Sequence, residues 1–236
     1  MKTTKSTPHS GQKSKMDRRR APEKKQLILD AAEAMFAQRG FYGASLRDIA
    51  FASGVPQALV SYHFGSKEGL FRAAVERRGP ANAGGMRRAL QKTLTVRSRK
   101  ARLEAVLRAF IEPVIDRSMR GGPGWKNYIR LMAQIANLPQ QESFVSAVPE
   151  NYESVVLGFI EAIRAIYPNM SEADLQWSFY FYQAAITHIL AESGVIDRQT
   201  NGAFHSSDLD QLLPKLVSFF AVGFRACAKL PKPIGP

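Results

Sequence analysis

Gln57, Ala58, Ser61 and Tyr62 follow Pro56 at spacings of one and four residues, which gathers them on one face of a helix. An amide, a methyl and two hydroxyls make a recognition set. None is a strong acid, base or nucleophile. Gln pairs bidentately with adenine, Ala touches a thymine methyl, and the hydroxyls suit base edges or phosphates. Amide groups at the start of a helix opened by Pro56 can also face a phosphate. The rest of the chain offers no catalytic set in their place. Its four histidines (His9, His63, His188 and His205) are scattered, none at metal-ligand spacing with Cys or carboxylates. There is no phosphate loop, dinucleotide fingerprint or nucleophile elbow. No metal, no cofactor and no enzyme activity are expected.

The elements that must hold this face are short. Ser45 followed by Asp48 reads as an N-cap with an acidic first turn, starting a helix from Leu46 to about Ser53. Gly54 supplies a turn with positive φ, and Pro56 opens the next helix, to about His63. Leu46, Ile49, Val55 and Val60 are the apolar positions that pack the two helices across each other, with small Ala50 where they cross. Ser66 caps a fourth helix. This is helix-turn-helix spacing, which places the second helix in the DNA major groove; two packed core helices without a DNA role share the spacing.

Charge is distributed accordingly. Residues 1–100 carry 21 Lys and Arg against 7 Asp and Glu, whereas residues 101–236 carry 12 against 13. A basic half joined to a near-neutral half suggests one part that meets a polyanion and one that does not; a generally solvated basic surface is the alternative. Residues 1–20 are polar and basic, and read as a disordered arm, either lying along phosphates or merely solubilising. No apolar run of membrane-spanning length occurs, and one cysteine, Cys227, fits a reducing cytoplasm.

Periodicity elsewhere is helical. A first helix opens at Pro22 and ends at Gly40, and the fourth breaks or kinks at Gly79-Pro80 and Gly84-Gly85. Further helices are expected at about 99–118, 124–137, 150–167, 172–193 and 208–228. The fold is all-α: a helix-turn-helix domain over 21–72 and a helical bundle over 73–236. The bundle is rich in Trp125, Tyr128, Met132, Phe144, Tyr152, Phe159, Trp177, Phe181 and Tyr182, which serve as core or line an apolar pocket. Arg130, Gln134, Gln183 and His188 are polar residues on these helices. The last helix, from Leu209 to Phe224, carries an apolar stripe too wide for one core face. It is buried all round or meets another subunit.

The run from Ile28 to Phe71 resembles the tetracycline-repressor-like (TetR) family of bacterial regulators. The family pattern appears as Phe36/Gly40/Phe41, Ser45/Leu46/Asp48/Ile49/Ala50, Gly54/Val55 and His63/Phe64/Ser66/Lys67/Leu70. Pro56 stands where the family often has Ser, and Ser61 where it often has Tyr. The form VSYHFGSK is closer to a PsrA-like subgroup that includes regulators of fatty-acid metabolism. The resemblance implies a regulator, a repressor by preference, that binds a pseudo-palindromic duplex operator as a homodimer. It assigns phosphate contact to Lys67, a place near the DNA backbone to Tyr42, packing and phosphate contact to His63, and adds Ser45 and Arg47 to the DNA-binding set. It further implies a small hydrophobic effector, such as a fatty acid or acyl-CoA, held among the bundle aromatics with Arg130 at an anionic head. The two C-terminal helices would form the dimer interface.

Overall fold

The computed structural model describes residues 11–138 and 150–229, with side chains over 22–138 and 152–229. Among the described residues every regular element is helical. The helices are α1 (Gly11–Gly43), α2 (Leu46–Ala52), α3 (Gln57–Phe64), α4 (Lys67–Thr93), α5 (Arg99–Arg120), α6 (Pro123–Ile135), α7 (Glu150–Ile166), α8 (Glu172–Leu190), α9 (Val195–Gln199) and α10 (Leu209–Cys227). The expected segments beyond residue 98 recur within a few residues; only the one-turn α9 has no counterpart in the sequence reading. Phe144 lies outside the described residues.

Two expectations about α1 and α4 are corrected. The backbone of α1 is helical from Gly11, ahead of the expected start at Pro22, and so takes in residues 11–20 of the basic arm. Lys, Arg, Gln and Met in that stretch are good helix formers. Residues 1–10 lie outside the described residues. Gly40 does end the regular part of α1, at φ 68°. Helix α4 does not break: it runs through Gly79, Pro80, Gly84 and Gly85. Pro80 forfeits one hydrogen bond, to the Glu76 carbonyl. Packing outweighs that loss. Gly79, Asn82, Ala83 and Met86 are buried. The Arg117 guanidinium of α5 occupies the space a Cβ at Gly85 would fill, and donates to the Ala81 carbonyl at 3.0 Å.

Two cores result. The smaller joins Ile28, Phe36, Phe41, Ile49, Val60, Leu70 and Phe71 with Leu131 and Ile135 of α6. Phe71 meets Phe36 and Phe41 edge-on, with ring centroids 5.0 and 5.2 Å apart. The larger core is built on Phe110 of α5, which meets Phe159, Phe179 and Tyr182. The Tyr182 hydroxyl donates to the Leu107 carbonyl at 2.7 Å. Helix α4 crosses from the first core to the second without interruption, and α6 contributes side chains to both.

Candidate functional site

The α2–α3 unit forms as its sequence dictates. Ser45 Oγ accepts from the Asp48 amide at 3.0 Å, Gly54 takes φ 67°, and Ser66 Oγ accepts from the Gly69 amide at 3.1 Å. Pro56 is the N-cap of α3 rather than its first turn, so Gln57 begins the helix. Ile49, Ala50 and Val60 are buried and pin α3 across α2. The opposite face of α3 is open: Gln57, Ala58, Ser61 and Tyr62 are exposed, Tyr62 at 81%. Arg47 and Tyr42 are also exposed.

The remaining expected DNA contacts are more constrained. Lys67 is half-buried, its Nζ 4.5 Å from the centre of the Phe41 ring, a cation–π contact that holds the ammonium at the start of α4. His63 is half-buried between Tyr62 and Phe64, and its Nε2 is enclosed without a hydrogen-bond partner. Some of the basic surplus is spent internally. Arg78 binds Glu33 through Nε at 2.9 Å, and Arg77 binds Asp30 at 2.7 Å. Glu33 is completely buried, which pushes its carboxyl above the ordinary value, against the opposing pull of Arg78.

A cavity of about 320 Å³ lies between α4, α5, α6 and α8, with Tyr152 of α7 in its wall. Of the expected ligand residues, Met132, Tyr152 and Gln183 line it. The others do not. Tyr128 and Phe159 are core. Trp125 is clamped between Arg78 and Arg117, each 5.1 Å from its ring. Arg130 donates to Glu192 at 2.6 Å instead of facing the cavity. Trp177 and Phe181 point outward on α8, and His188 is exposed. Helical spacing shows which residues share a face, but not which neighbour that face meets. The sequence reading missed Asn82, Asn137 and Thr187 as lining residues. Asn82 was hidden because the glycines around it read as a helix break.

Helix α6 links the two regions. Ile129, Met132, Ala133 and Ala136 face the cavity. Leu131 sits in the smaller core, Ile135 belongs to that core and also lines the cavity, and Gln134 Nε2 donates to the Ala37 carbonyl of α1 at 2.7 Å. On the outer side of α8 and α10, Trp177, Phe181, Phe219 and Val222 form an exposed apolar surface, Phe219 at 75%, with exposed Tyr180 between it and the cavity it also lines. No group of three or more His, Cys, Asp and Glu side chains that could hold a metal occurs among the described residues. Nor is any described helix long and apolar enough to cross a membrane.

A capped helix-turn-helix with an open second helix, joined to a larger helical bundle, defines a DNA-binding regulator. Residues 28–74 match the model of the bacterial regulatory proteins of the tetR family, and residues 108–223 that of the tetracyclin repressor-like C-terminal domain. The chain belongs to the TetR family of transcriptional regulators. It is 32% identical over 90 residues to the HTH-type transcriptional activator FasR of Mycolicibacterium smegmatis, a match spanning 38% of this chain and 40% of that protein. The structure of AibR in complex with isovaleryl coenzyme A and operator DNA is similar over 83% of this chain and 97% of its own, at TM-score 0.58 and 18% identity. That of FadR from Bacillus subtilis in complex with stearoyl-CoA is similar over 84% and 98%, at TM-score 0.52 and 13% identity. Likeness at these identities is one of fold.

Proposed function

We propose that this protein is a ligand-responsive repressor. It binds a pseudo-palindromic operator as a homodimer and is released by a small hydrophobic effector. Residues 21–72 read DNA, through Gln57, Ala58, Ser61 and Tyr62 at base edges and Lys67, Tyr42, Ser45, Arg47, Pro56 and His63 near phosphates. Residues 73–236 hold the effector and the partner subunit. Helix α6 is the observation that carries the reading, because one of its faces walls the cavity and the other is seated on α1. An effector that favours one seating of α6 over another shifts the spacing of the two α3 helices, and unequal binding to the two states is all that release requires. The acyl-CoA complexes of two proteins of similar fold support a hydrophobic effector.

Gln134→Leu removes the hydrogen bond to α1 while leaving α3 untouched. It is expected to change operator affinity, or the effector's power to lower it, by about 5–150-fold, the ordinary size of a coupling between sites. The check is fluorescence anisotropy with labelled duplex, with and without effector. If both quantities match the parent protein, α6 does not carry the signal.

The exposed stripe of α8 and α10 suits a two-fold interface, where each subunit offers the same patch. A buried charge without a partner at such an interface is strongly unfavourable. Phe219→Asp is therefore expected to yield monomers by analytical ultracentrifugation and to lose cooperative operator binding. A dimer of undiminished stability would place the interface elsewhere.

A further inference from the structure

We infer that the cavity between α4, α5, α6 and α8 takes an uncharged ligand: a small alkyl chain bearing one amide, ester, ketone or alcohol. The inference rests on the proposed reading of this cavity as the effector site. Its polar wall consists of amides and hydroxyls, from Asn82, Asn137, Tyr152, Gln183 and Thr187, with Tyr180 and Ala184 among its exposed lining residues. Among the described residues no Lys, Arg, His, Asp or Glu lines it.

The cations near the lining residues in sequence are engaged elsewhere or lie outside the cavity: Arg87, beside Met86, donates to Ser154 Oγ at 3.0 Å, Arg88 lines a different cavity, Arg108 pairs with Glu112 at 3.3 Å, and exposed His188, beside Thr187, is not among the lining residues. Arg130 is bound to Glu192, which also takes Lys126 at 3.2 Å. Arg117 donates to the Ala81 and Pro113 carbonyls and stacks on Trp125, reaching Asn82 Oδ1 at 3.4 Å from outside the cavity. Residues 139–149, outside the described residues, contain no Lys, Arg or His, so that segment has no cation to offer. A carboxylate in the cavity would therefore lose its water without gaining a counter-charge, which strongly disfavours burial. A neutral dipole needs only hydrogen bonds, and the wall supplies them. Asn137 and Thr187 already spend donors on the Ala133 and Gln183 carbonyls, both at 2.8 Å, which fixes their side chains. Gln183 hydrogen-bonds the Tyr152 phenol, whose pKa burial pushes up, so that it stays a neutral donor. The expectation of an anionic head at Arg130 is replaced by this neutral wall.

Octanamide and octanoate have the same heavy-atom skeleton and differ in charge near neutral pH. Isothermal titration calorimetry on the full chain is expected to show octanamide binding at least about tenfold more tightly than octanoate. Ala184→Trp, at the exposed mouth, is expected to abolish octanamide binding while circular dichroism stays that of the parent. Octanoate binding as tightly as octanamide, or more tightly, overturns the inference on charge and leaves the effector reading standing. Octanamide binding that Ala184→Trp does not reduce also overturns it, since the ligand then sits elsewhere. If neither probe binds, the inference fails together with the reading of this cavity as a ligand site.

Discussion

Replacing Gln57 with alanine is expected to weaken operator binding by roughly 2–6 kcal/mol per dimer, two half-sites at about 1–3 kcal/mol each. That is about thirtyfold to about twenty-thousandfold in Kd. Gln57 is exposed at the start of α3, so its removal leaves the core intact and thermal stability close to that of the parent. The loss should be confined to specific DNA, because an amide that reads a base contributes little on a scrambled duplex. Lys67→Ala is the contrasting case. A phosphate contact weakens every sequence alike and lowers the slope of log Kd against log salt by about one for each subunit. Anisotropy titrations on operator and scrambled duplexes at several salt concentrations separate the two behaviours. Equal losses for Gln57→Ala on both duplexes would show that α3 does not read bases through this residue.

Removing the Glu33 carboxylate is expected to destabilise the fold strongly. Glu33 is completely buried on α1 and bound by Arg78 of α4, whose guanidinium also lies against Trp125 of α6. Glu33→Ala leaves that arginine only the more distant Asp30, at 4.0 Å, as counter-charge and opens a void, at a cost of about 3–5 kcal/mol. Glu33→Gln keeps the shape and one acceptor and should cost much less. The pH dependence has a definite sign. Burial raises the carboxyl above its ordinary 4.5, so the folded state holds this proton more tightly than the unfolded chain does. The stabilisation from this group is full below the unfolded value and fades as pH rises through the folded one. Relative to the Glu33→Gln protein, the parent should therefore gain stability as pH is lowered from neutral toward that range. Urea denaturation of both proteins at matched pH values measures the difference; a gap that widens in the opposite direction would contradict the account.

The helix-turn-helix was legible because its signals are local. Ser45, Gly54 and Ser66 act within three or four residues of themselves, and each does in the structure what its spacing requires. The helix boundaries of the bundle were legible for the same reason. What the sequence concealed depends on contacts distant in the chain. Gly79-Pro80 and Gly84-Gly85 look like a break. The space at Gly85 instead receives Arg117 from α5, and the packing keeps α4 whole. The run from Gly121 to Gly124 separates α5 from α6, as its glycines and proline suggest, but a neighbour that fixes it, Arg78, comes from elsewhere in the chain. There Gly122 takes φ 87°, while Cβ atoms at Gly121 and Gly124 would strike the Trp125 ring and the Arg78 guanidinium. Aromatic residues mark where surface is hidden, and three surfaces compete for them here. Phe159 went to the core, Trp177 and Phe181 to the outer face, and only Tyr152 among the aromatics proposed for the ligand reached the cavity.

The central claim is that α3, presented twice by a two-fold dimer, reads a defined DNA sequence. Selection of bound duplexes from a random pool tests it directly, because the protein itself picks out the operator. The expected result is an enriched pseudo-palindrome whose half-sites are separated by about one helical turn or a multiple of it. Its affinity should exceed that for scrambled DNA by about a thousandfold or more and fall steeply with salt. A pool that stays random, or binding that ignores both sequence and salt, would contradict it.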